Sequence, residues 1–170
     1  MLLQTNAVLS HATAIALWNL IPSPPSPVHI TLPPQRTARR DGITNHRSHL
    51  DTRDIRQRHG LALTSPPRTI LDVAADWADL ESLVAEARYR KLAFEDELRD
   101  QLQRNPHKPG GPRLRAILDL PGGPQRTRSQ GERAMVRLLR QAGVTGFETN
   151  ARIHGYEVDI LWREHDLSSR

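Results

Sequence analysis

Apolar positions change their period several times along the chain, and each change marks an element. Ser10 is a good cap for a helix running to about Leu20, whose apolar content is Ala14, Ile15, Leu17, Trp18 and Leu20. The run IPSPPSP then ends it, because proline fixes φ and removes the amide donor. VHITL at 28–32 alternates and is rich in β-branched residues, which predicts a strand. A second short strand is predicted over 43–47. Residues 55–58 and 61–64 flank His59-Gly60 as the arms of a tight hairpin. Ser65-Pro66-Pro67 opens a helix, and Ile70, Leu71, Ala74 and Trp77 fall on one face of it. Two more helices follow. One, over about 79–90, buries Leu80, Leu83, Val84 and Ala87; the other, over about 94–104, uses Leu98 and Leu102. A short one carries Leu114, Ile117 and Leu118. Short strands followed by a run of helices give an α+β fold.

LPGGPQ at 120–125 is the strongest linker signal, dividing the chain into a unit over 1–120, a linker over 121–126 and a second unit over 127–170. Thr127 or Ser129 caps a helix reaching about Ala142. Met135, Val136, Leu138, Leu139 and Ala142 are its predicted apolar face, and Arg133, Arg137 and Arg140 an outward basic stripe. Glu132 falls on or beside the inward face, and Gly143 ends the helix in a left-handed conformation. Two antiparallel strands over 147–153 and 156–162 turn at His154-Gly155. Tyr156, Val158, Ile160 and Trp162 share one face, Glu157 and Asp159 the other.

Aromatic residues make up only 4% of the chain, so its core must be built from Leu, Ile, Val and Ala. The lack of cysteine excludes disulfides, thiol catalysis and cysteine–zinc sites. No apolar run approaches the roughly 20 residues of a membrane span, and no signal-peptide pattern opens the chain; a cytoplasmic location is expected. The formal charge of +5 is unevenly spread. Residues 35–60 hold seven Arg and three Asp, residues 72–100 nine acids and four bases, and residues 101–143 nine bases and two acids. Clustered arginine attracts polyanions, of which nucleic acid is the commonest. Arg36, Arg39 and Arg40 are candidate phosphate contacts, as are Arg128, Arg133 and Arg137. The carboxylates of 72–100 read as solvated helix faces. His29, His46 and His49 lack helical spacing or a nearby cysteine and read as strand-edge histidines rather than a metal cluster. Gly110-Gly111-Pro112 is not followed by the Lys-Ser/Thr of a phosphate-binding loop.

Several blocks carry a family resemblance. LSHATAIALWNL, VHITLP, GITNHRSHL and above all GLALTSPPRTILDVAA resemble the middle and C-terminal part of actinobacterial AbiEi-type antitoxin proteins. TRSxxE, the AGV turn and NARIHGYEVDILWRE resemble the first half of an appended domain similar to very-short-patch-repair endonucleases, of the restriction-endonuclease-like superfamily.

The resemblance implies metal-dependent hydrolysis of DNA. In that superfamily a helix Glu, a strand Asp and an acidic-x-Lys or similar pair on the next strand supply the ligands and base around Mg²⁺, which polarises the phosphate and activates water. Glu132 matches the first position and Asp159 the second, as catalytic residues and metal ligands. The relatives continue into a strand resembling LVVEVDG, where this sequence reads HDLSSR; Glu164 or Asp166 would substitute only if the tail folded back. The antitoxin relatives usually open with a winged helix ahead of the LSH block. The expectation is therefore a reading frame short at both ends: an antitoxin-like region and an incomplete nuclease-like element, DNA-associated and without cleavage activity of its own. The alternative is a non-enzymatic antitoxin or transcriptional regulator that binds DNA or a toxin partner.

Overall fold

The computed structural model describes residues 7–21, 26–37, 40–124 and 130–162. It is an α+β fold with a five-stranded mixed sheet, a helical layer and a separate two-stranded sheet. Strands β1 (Val8–Leu9), β2 (Val28–Leu32), β3 (Ile43–Arg47), β4 (Ile55–Arg58) and β5 (Leu61–Thr64) lie in the order β3-β2-β1-β5-β4. The two-residue β1 is the centre of this sheet. It pairs antiparallel with β2 through Val8↔Thr31 and Leu9↔Ile30, and parallel with β5 through Leu9↔Leu63. Two residues show no periodicity, so sequence patterning does not predict this strand. β2 and β3 run parallel, with Thr31 opposite His46. β4 and β5 form the expected hairpin, and positive φ at both His59 and Gly60 is the backbone of a type I′ turn.

Register puts Leu9, Ile30, Leu32 and Leu63 on one face of the sheet. They form one buried cluster with Ala14 of α1 (His11–Leu17), and half-buried Leu17 and Trp18 pack against it. The next residue, Ile15, belongs to the other core, so this short helix joins the two. That second core is built from α2 (Pro66–Val73), α3 (Leu80–Tyr89), α4 (Glu95–Arg104) and α5 (Gly111–Leu118), through Ile70, Leu71, Leu80, Val84, Leu98 and Leu114 among others. α2 ends at Val73, so Trp77 reaches this core from the following turn rather than from the helix face.

Most of α2 is buried, including its charges. Arg68 has a side chain 1% exposed, and every guanidinium nitrogen donates: Nε to Asp72 Oδ1 at 3.0 Å, Nη2 to Ser48 Oγ at 2.8 Å, and Nη1 to Asp54 Oδ2, Asn105 Oδ1 and the His49 carbonyl, each at 3.3 Å. Asp54 also accepts from Gln101 Nε2 at 2.7 Å and Arg104 Nη2 at 2.9 Å. Burial pushes the Asp54 carboxyl up, but these hydrogen bonds and the Arg104 and Arg68 charges hold it below its ordinary range. Asp72 Oδ1 further accepts from Lys108 Nζ at 2.6 Å. Asp72 is thus not on a solvated face, because an arginine one helical turn earlier draws it inward. Others of the acids over 72–100 are also in ion pairs, such as Glu86 with Arg90 and Glu95 with Arg99.

Gly110, just before α5, sits against the end of α2. An added Cβ would lie 2.5 Å from Ala74 Cβ and 2.6 Å from the Ala75 nitrogen. Gly110→Ala is expected to lower unfolding free energy by about 1–3 kcal/mol through overpacking. Urea denaturation tests this, and a loss below about 0.5 kcal/mol would mean that the two backbones separate without strain.

Candidate functional site

The second unit has α6 (Gln130–Gln141) followed by β6 (Phe147–Ile153) and β7 (Tyr156–Trp162), paired antiparallel from Phe147↔Trp162 to Ile153↔Tyr156. The strand bounds and the His154-Gly155 turn agree with the sequence pattern; both turn residues have positive φ. Gly143 ends α6 at φ +74° as expected. The helix face is different. Val136 is buried and Leu139 half-buried, but Met135 is 47% and Leu138 61% exposed, and Ala142 is exposed. Only part of the apolar stripe is buried. Arg140 is not part of an outward stripe. It turns back to α3, where Nη2 and Nη1 meet the Glu81 carboxylate at 2.8 and 3.2 Å, and Nη2 also donates to the Gly123 carbonyl.

Glu132 lies half-buried in the first turn of α6. Asp159 is exposed on β7. Thr149↔Ile160 and Ala151↔Val158 bracket it, which puts Asn150 directly opposite. Asn150 is buried and left-handed, at φ +52° in mid-strand. Asparagine tolerates such backbone better than most residues with a side chain, and non-glycine cases collect at functional positions. Sequence reading gave no sign of it. Among the described residues, no group of three His, Asp or Glu side chains is arranged to hold a metal ion. Glu132 and Asp159 alone would hold Mg²⁺ poorly, because such sites draw the rest of the octahedral shell from water and substrate phosphates.

The candidate DNA contacts divide. Arg36 and Arg40 are exposed in the segment between β2 and β3, and Arg137 is exposed on α6. Arg39, Arg128, the capping residues Thr127 and Ser129, and Glu164 and Asp166 lie outside the described residues, as do the side chains of Arg133 and Glu157.

A second constellation stands at the start of α1. The His11 and His46 rings stack with centroids 3.4 Å apart, and His29 Nδ1 lies 2.9 Å from His46 Nε2. His11 Nδ1 lies 2.9 Å from Ser10 Oγ, and His11 has a left-handed backbone at φ +51°. His29 and His46 do meet, but their third partner is His11 and not His49, which is exposed. The parallel pairing of β2 with β3, unreadable from short alternating strands, brings them together. Burial lowers all three imidazoles from their ordinary value, His11 to about 3. For His11 and His46 the neighbouring rings and Lys108 add to this, and Asp72 opposes it. At neutral pH the stack is uncharged.

Beside it, a cavity of about 380 Å³ is lined by Val8, Thr31, Leu50, Ile55 and Ala62, with Ser48 and His49 in its wall. The Thr31 hydroxyl is buried without a hydrogen-bond partner among the described residues. No helix among the described residues is long and apolar enough to cross a membrane. No family model, curated protein or solved structure matches the chain.

The Arg140–Glu81 pair is partly sheltered, at 17% and 28% side-chain exposure, and ties α6 to α3. A double-mutant cycle with Arg140→Ala and Glu81→Ala is expected to give a coupling of about 1 kcal/mol. A coupling under about 0.3 kcal/mol would mean that the pair does not hold the two units together.

Proposed function

We propose that the chain is a cytoplasmic DNA-associated protein, an AbiEi-antitoxin-like unit joined to a nuclease-like element, which holds DNA without cleaving it. The observation that carries this reading is the sorting of the basic side chains. Arg68, Arg99, Arg104, Lys108 and Arg140 are engaged by carboxylates of the chain itself. Arg36, Arg40, Arg47 and Arg137 are exposed and, among the described residues, make no ion pair. Guanidiniums left free in this way suit phosphate contacts, which fix affinity rather than sequence preference. A toxin protein is the further partner that the antitoxin-like unit implies.

A second reading keeps catalysis. The left-handed Asn150 opposite Asp159 favours it, with Glu132 and Asp159 as the carboxylates and Mg²⁺ as the cofactor. The described residues do not complete that centre, so no step is assigned to it.

The readings separate in one set of assays. Binding to a labelled duplex is expected to weaken about a hundredfold between about 50 and 200 mM salt, as for roughly four phosphate contacts. Replacing Arg36, Arg40, Arg47 and Arg137 by Ala should flatten most of that slope. Absence of binding at low salt would remove the first reading. Nicking of plasmid DNA that requires Mg²⁺ or Mn²⁺ and is lost in Glu132→Ala/Asp159→Ala would establish the second.

A further inference from the structure

The stacked histidines come from three elements: His11 from the start of α1, His29 from β2 and His46 from β3. β3 is an edge strand whose sheet partner is β2. It leads directly into Ser48 and His49, the segment that Arg68 holds and that walls the 380 Å³ cavity. We propose that the His11–His29–His46 stack is a proton-operated latch, which fastens β3 and the 48–50 segment to α1 when neutral and releases them on acidification.

The geometry requires uncharged rings. A hydrogen bond between His29 Nδ1 and His46 Nε2 needs one nitrogen to keep its lone pair, and two imidazolium rings have none to offer. Rings 3.4 Å apart also cannot both carry charge without strong repulsion. Of the groups facing the stack only Asp72 relieves this, and it is one carboxylate against three rings. From α2, Asp72 has one oxygen shared by Arg68 and Lys108, while its buried Oδ2 has no hydrogen-bond partner among the described residues. Lys108, from the turn before α5, adds positive charge at His11 and His46, and Arg68 is bound to the same Asp72 oxygen. The single carboxylate is therefore already matched by two cations. Three imidazolium rings would stand uncompensated.

The sign follows from linkage. In the closed state the rings resist protonation, whereas once released they take protons near their ordinary value of about 6.5. The latch is fully closed above that pH and loosens as pH falls below it. Each ring that gains a proton on opening steepens the opening equilibrium by at most about tenfold per pH unit.

Hydrogen exchange of the whole chain, followed by mass spectrometry between about pH 7.5 and 5 and corrected for intrinsic exchange chemistry, reads this directly. Peptides covering 43–50 should open increasingly as pH falls, by more than tenfold per unit if more than one ring takes part. Peptides from α4 should change far less. His46→Gln should remove at least one proton from the slope, and His49→Gln, outside the stack, should leave it as it was. Equal pH slopes in β3 and α4, or a His46→Gln slope like that of the unaltered protein, would overturn the proposal. Should His46→Gln not fold, ring titration by nuclear magnetic resonance of the unaltered protein decides. Titration below the ordinary histidine value, together with shifts of β3 amides, is expected, and titration at the ordinary value with β3 unmoved would refute it.

Discussion

One guanidinium touches the sheet's outlying loop, the 3-10 turn that precedes β4, and the helical layer. Arg68 reaches Ser48 and His49 on one side, Asp54 on another, and Asp72 and Asn105 within the helices. Removing such a group from water costs several kcal/mol, and only near-complete hydrogen bonding offsets that cost. The surroundings supply it. Asp54 and Asp72 accept from Arg68, while Arg104, Gln101 and Lys108 satisfy the acceptor capacity that remains on Asp54 and on Asp72 Oδ1. The network's contribution is then mainly geometric. An apolar side chain of similar size would fill the space, but it would not fix where residues 48–54 lie against α2 and α4.

That placement has consequences for both candidate sites. The 48–50 segment is one wall of the apolar cavity and the continuation of β3, whose His46 completes the histidine stack. Asp72, held by Arg68, is the carboxylate that faces the stack. The same network removes several basic residues from the pool available to a polyanion. Net charge therefore overstates the cationic surface, and ion pairs outside the network engage Arg90, Arg99 and Arg140 as well.

Much of this architecture was legible in the sequence where the pattern was local. Both His-Gly hairpins, the proline-led start of α2 and the bounds of β6 and β7 follow from turn chemistry and period alone. What was not legible depends on distant pairing. β1 is too short to show a period, yet it is the central strand. The β2–β3 parallel register, which joins His29 to His46, has no local signature, and His11 reads only as the first residue of a helix. On α6 the pattern overstated burial: Met135 and Leu138 belong to an apolar stripe by spacing, but both are exposed. Of the candidate site, the positions of Glu132 and Asp159 on a helix and a strand were legible, and the left-handed Asn150 beside Asp159 was not.

Arg68 organises the first unit through its contacts. Equilibrium urea unfolding of Arg68→Ala tests it most directly. The expected loss is about 3–5 kcal/mol, because Asp54 and Asp72 would stay buried with a principal partner gone and the 48–54 segment would lose its anchor. A loss within about 1 kcal/mol of the unaltered protein, with β3 equally protected from hydrogen exchange, would contradict the account.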